Sequence, residues 1–186
     1  PVEHPRAGEL ATGWVRVGIR TEPQEDVRRQ WAGLLQAMPE AVPGAHAPHE
    51  EWLAFAPKWG QLTLLRYAPE APLPEAELAA FETLRREVDG RFLEWLSERY
   101  RTLHNQPAVP PVMVHHVPRA MARHLEESPG SKVAMVLMDG LSWDQWWVVR
   151  DEMRSQRPGW RMVEGSVFAW IPTLTMVSRQ ACFAGR

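Results

Sequence analysis

The sequence predicts an α/β fold, with a mainly helical region over about residues 1–110 and the opening βαβα part of a parallel sheet over residues 111–186. Three observations carry this expectation. "KVAMVLM", residues 132–138, is an almost uninterrupted apolar run after the turn "SPGS", as a strand buried on both faces would be. It is followed by a helix opening at Ser142, a further strand in the region Met162–Ile171 and a helix after Pro172, in β-α-β-α order. The preceding half shows the helical recurrence of apolar side chains instead, and "NQPAVPPVMVHHVP", with prolines at 107, 110 and 111, marks the boundary.

Taken in order, "GWVRVGIRT" alternates Val15, Val17 and Ile19 with Arg16, Gly18 and Arg20, which predicts a short strand with one buried face. Thr21 and Gln24 resemble a capping box, after which Val27, Trp31, Leu34, Leu35 and Met38 recur at helical spacing until Pro39 and Pro43 stop the pattern. Residues 48–68 carry Trp52, Leu53, Phe55, Trp59, Leu62 and Leu65, helical turns interrupted at Pro57, although "QLTLLRY" could equally pair as a strand. From Pro74 to Leu103 the spacing of Leu78, Phe81, Leu84, Val88, Phe92, Trp95 and Leu103 marks one long amphipathic helix. Arg85, Arg86, Glu87, Arg91 and Glu94 form its solvated face with local pairing. A helix over 118–127 follows the boundary, and Ser142 with Gln145 makes a second capping box for a helix through about Arg154.

Composition removes several function classes. The net charge is -2, and the positive charge is nearly all arginine scattered among acids, so direct nucleic-acid binding is not indicated. No run approaches the ~18 consecutive apolar residues of a membrane span, and "PVEHPRAG" lacks the features of a signal peptide, so a cytoplasmic protein is expected. Cys182 is the single cysteine, which rules out a disulfide framework and a cysteine-rich zinc site. The chain opens on proline rather than methionine, and both termini read as cuts within a longer polypeptide.

In parallel α/β sheets functional groups collect beyond the carboxyl ends of strands, where loops meet helix N-termini. Two positions satisfy that rule. Asp139 follows the apolar run directly, beside Gly140, and Thr175 follows the next strand one crossover later. A carboxylate and a hydroxyl at a helix N-terminus suit metal-assisted phosphoryl or sulfuryl transfer, because the ion lowers the pKa of a bound hydroxyl and the helix dipole favours anions. The bland alternatives are an Asp-Gly turn and a threonine helix cap.

"VAMVLMDGLSWDQW" followed by "FAWIPTLTMVSRQACFAG" resembles the PglZ domain, a branch of the alkaline phosphatase superfamily found in BREX phage-defence systems, over roughly residues 112–186. The resemblance implies an alkaline-phosphatase-like sheet, Asp139 as first metal ligand, and Thr175 as both nucleophile and metal contact. It implies a divalent ion, zinc by expectation, usually in a two-metal site, with Ser178 and Phe183 helping to hold the Thr175 helix. The superfamily's further aspartates and histidines come later than Arg186, so the metal site is expected to be incomplete here and the isolated chain inactive. Partners implied are other BREX components such as a methyltransferase and an ATPase. A rival reading is a non-catalytic structural or interaction subunit of that complex, whose tryptophan-rich helices offer aromatic anchors.

The remaining candidates read as structural. Adjacent His115 and His116 have poor chelating geometry and suit the surface or the boundary; His124 lacks a second ligand one turn on, since residue 128 is Ser. Cys182 reads as a small buried hydrophobe, and Trp143 with Trp146 or Trp147 as packing on the sheet rather than as a base-stacking platform. Arg179 could meet a phosphate near Thr175 or simply be solvated.

Overall fold

The computed structural model describes residues 23–68 and 72–184. The strand expected over 13–21 and the cap at Thr21 lie outside the described residues. Among the described residues six α-helices follow one another: α1 (Pro23–Ala41), α2 (His49–Arg66), α3 (Glu75–Leu103), α4 (Val117–Glu127), α5 (Trp143–Gln156) and α6 (Thr175–Ala184). A 3-10 turn, Val114–His116, leads into α4.

Helices α1, α2 and α3 bury one continuous apolar cluster, including Trp31, Met38, Trp52, Leu62, Phe81 and Trp95. These are the positions whose helical spacing the sequence displays. Indole N–H groups taken into such a core need acceptors. Trp31 Nε1 donates to Glu77 Oε2 at 2.8 Å, and Trp95 Nε1 donates to the Ala47 carbonyl at 2.8 Å. Trp31, Trp52 and Trp95 are therefore core residues. On the opposite face of α3, Arg85 pairs with Glu82 and Arg91 with Glu87 across one helical turn.

Neither internal proline ends its helix. α1 runs through Pro39 to Ala41, and α2 runs unbroken through Pro57, which excludes the strand alternative for "QLTLLRY". A proline removes one backbone hydrogen bond, and burial of a whole helical face outweighs that loss.

The α/β expectation is overturned, because no strand and no sheet forms among the described residues. Residues 132–138 take no regular structure and are exposed along their whole length, with Val136 80% exposed. Only an isolated parallel bridge joins Met113 to Phe168, in which Val114 N–H donates to the Phe168 carbonyl at 2.9 Å and Phe168 N–H to the Val112 carbonyl at 2.8 Å. The physical reason is that an apolar run reports an affinity for burial, whereas a strand also needs neighbours about 4.8 Å away on which to build its ladder. No such ladder forms along 132–138 among the described residues. The expected strand at 162–171 is likewise reduced to its contact at Phe168.

Without a sheet, α5 packs chiefly on α2. Trp147 Nε1 donates to the Pro57 carbonyl at 3.2 Å, and Trp143 lies against Gly60. Glu164 draws the following segment onto α5: its carboxylate accepts from Trp146 Nε1 at 2.7 Å and lies 3.8 Å from both Arg150 and Arg154. The three tryptophans of α5 thus serve a helix–helix contact and a loop rather than a sheet.

Candidate functional site

Asp139 and Gly140 form a turn between the apolar run and Ser142. Gly140 has φ 67°, in the left-handed region that a side chain disfavours, which fits glycine at this corner. The capping box predicted next is seen in its glutamine half, as Ser142 N–H donates to Gln145 Oε1 at 3.1 Å, and the Ser142 carbonyl accepts the first helical bond, from Trp146 N–H at 2.8 Å. The turn carrying Asp139 is thereby held at the entry to α5.

Thr175 is the first residue of α6 and is exposed. Leu174 N–H folds back on the Pro172 carbonyl at 2.7 Å, and the Leu174 carbonyl then accepts the first helical bond, from Ser178 N–H at 2.9 Å. This leaves the hydroxyl of Thr175 beside the free N–H groups of a helix N-terminus, where the dipole favours negative charge. Ala181 and Cys182 bury the other face of α6, whereas Phe183 is 69% exposed and does not hold the helix as expected. Burial raises the Cys182 thiol pKa, which keeps it neutral, as a small buried hydrophobe should be.

One contact links the two loops. Arg179, four residues after Thr175 on the same face of α6, places its guanidinium 3.3 Å from Asp139 Oδ2. No hydrogen bond joins Asp139 directly to Thr175 among the described residues. The pair is partly exposed, 55% for Arg179 and 38% for Asp139, so its net worth is at most about 1 kcal/mol. Its importance is geometric, since it shows the Asp139 turn within one arginine's reach of the helix that Thr175 opens.

The donor chemistry here is one carboxylate and one hydroxyl, and no group of three or more His, Cys, Asp or Glu side chains suited to a metal occurs among the described residues. A resident zinc takes at least three protein ligands. These residues alone do not fit that ion, and Arg179 already supplies a positive charge to Asp139. A groove of about 480 Å³ runs beside the turn, lined by Met138, Leu141, Trp143, Trp146 and Ser166, and it contains neither Asp139 nor Thr175.

Sequence reasoning missed a second cluster. His115 and His116, expected at the surface or the boundary, are buried, 5% and 1% exposed, and His115 stacks on His104 at the end of α3. The available signal was their position in a proline-rich seam flanked by apolar residues. His124, by contrast, is exposed on α4.

No helix among the described residues is long and apolar enough to cross a membrane. Neither a curated protein nor a solved structure matches the chain. The segment that carries the Asp139 turn and the Thr175 helix has a family likeness: residues 117–186 match the BREX system PglZ alkaline phosphatase-like domain.

Proposed function

We propose that residues 117–186 contribute the nucleophile half of a phosphoester hydrolase acting in bacterial phage defence. Thr175 is the nucleophile, and Asp139 is the carboxylate that fixes the electrostatics around it. The observation that supports this reading best is the Asp139–Arg179 ion pair, which ties the acidic turn to the helix beginning at Thr175. The family match over the same residues supports it independently.

In the proposed step, Thr175 Oγ forms a bond to phosphorus as the bond to the leaving alkoxide breaks, and the departing oxygen takes up a proton. Water then cleaves the phosphothreonine, restoring the hydroxyl and releasing phosphate. The N-terminus of α6 receives the transferred anion, and Arg179 offers its guanidinium to the phosphoryl oxygens. A divalent ion, zinc by family resemblance, belongs to this reading only with ligands from outside the described residues.

The test uses the protein carrying the complete PglZ domain, assayed with p-nitrophenyl phosphate and its bis-ester. Thr175→Ala and Asp139→Ala are each expected to lower turnover on the order of 100-fold or more, with the helical fold retained. Wild-type turnover by both variants would remove the proposal.

A second reading is a structural subunit of the BREX assembly that docks a methyltransferase or an ATPase. It is favoured by the exposed apolar side chains around the same helix, notably Leu174 and Met176, and by the engagement of Asp139 with an arginine. Phage protection that survives both substitutions but is lost on Met176→Glu would select it.

A further inference from the structure

Three histidines meet where the helical bundle ends. His104 follows the last residue of α3, and His115 and His116 form most of the 3-10 turn that leads into α4. The His115 and His116 rings lie 4.1 Å apart between centroids, His104 stacks on His115 at 5.9 Å, and Trp170 presents an edge to His104 at 4.9 Å.

The hydrogen bonds fix the protonation state. His116 Nδ1 accepts the backbone N–H groups of Val112 and Met113, both at 3.2 Å. His115 Nδ1 accepts Trp170 Nε1–H at 2.9 Å. Backbone amides and indoles only donate, so neither Nδ1 can carry a proton, and each imidazole is the neutral Nε2–H tautomer. Adding a proton to either ring puts hydrogen against hydrogen and breaks those bonds. The same segment is fastened a second time, because Ile171 N–H donates to the Tyr100 hydroxyl at 2.7 Å.

We propose that His115 and His116 form a proton-sensitive joint, which holds the 3-10 turn and residues 168–171 on the end of α3 only while both rings are neutral. One facing group favours an added charge, the His104 backbone hydrogen-bonded to His116, but burial and the Arg119 guanidinium from α4 outweigh it, and the His104 ring acts against protonation of both histidines. Helix α6, packed on the same turn, carries buried Cys182 and Arg179, the latter paired with Asp139. Burial is the leading cause that drives His115 down to about 4, with His116 next, and it lowers His116 in the same direction.

The sign follows from linkage. Above pH 6.5 the histidines are neutral in both open and closed states, and the joint has its full strength. As pH falls from 6.5 towards 4, the open state takes up protons that the closed state refuses, so opening becomes progressively easier.

The experiment is imidazole and amide NMR on the full chain. At pH 7 both rings are expected as Nε2–H tautomers, with His115 titrating below pH 5. After correction for intrinsic exchange, protection of the Phe168 and Ile171 amides should fall about 20-fold between pH 7 and pH 5 for one refusing histidine, while amides of the α1–α3 core hold theirs. The pair His115→Gln with His116→Asn should flatten that dependence. Should the pair not fold, the wild-type titration decides: a His115 midpoint near 6.5, or an Nδ1–H tautomer on either ring, overturns the proposal.

Discussion

Gly140 and Asp139 illustrate what one residue can and cannot supply. At φ 67° any side chain on Gly140 costs about 1–2 kcal/mol, although the space around a Cβ there is open. The turn is thus set by backbone conformation, and the Asp139 carboxylate it presents meets a guanidinium rather than other acids. A single monodentate carboxylate with one alcohol is a weak host for zinc, and the arginine must first be displaced. Calorimetric titration of zinc into the isolated chain should therefore give no tight stoichiometric binding. Tight binding in a one-to-one ratio that disappears in Asp139→Ala would show that the missing ligands lie within this chain. The histidines teach a different lesson at the same scale. Adjacency suggests side chains that diverge, yet the His115 and His116 rings lie 4.1 Å apart; adjacency also says nothing about burial, and only the three-dimensional seam reveals that both rings accept N–H groups.

At the scale of elements, the contact between α2 and α5 depends on an absent side chain. A Cβ on Gly60 would sit 2.4 Å from Trp143 Cβ and 3.2–3.3 Å from the backbone at Trp143 and Asp144. Backbone cannot swing aside as a flexible side chain can, so Gly60→Ala must push α5 away from α2. Alanine gains roughly 1 kcal/mol of helix propensity, and overpacking costs roughly 1–3 kcal/mol, so a net loss of stability is expected, read as a lower thermal midpoint with α-helical circular dichroism retained at room temperature. A higher midpoint would show that α5 yields freely. The α3 helix was legible in the sequence because one apolar stripe over 29 residues and a proline at its N-cap agree on the same answer. Pro39 and Pro57 misled because local backbone cost competes with burial of entire faces, which a one-dimensional pattern does not weigh. The run at 132–138 misled for the converse reason: its apolarity is real, but its pairing partners are a property of other segments.

Across the whole molecule, burial is unevenly spread. Among the described residues the core cluster draws its buried members from residues 31–113, whereas beyond residue 117 Ala181 and Cys182 alone are buried hydrophobics. Opening free energies should follow that gradient, because regions with few buried apolar groups and exposed backbone open at the low end of the stability scale. Limited digestion converts this into an order of cuts. Among the described residues, trypsin should cleave first after Lys132 and Arg161, which lie exposed in irregular segments, and only later after Arg85, Arg86 and Arg91 within α3. The α3 arginines are partly exposed too, so exposure alone would predict no such order; helical backbone must unfold locally before it can enter a protease cleft. If α3 is cut as early as Lys132, the bundle is not the stable unit that its packed tryptophans imply. Resistance at Lys132 equal to that of α3 would instead mean that the apolar run is covered in solution, and would turn attention to what covers it.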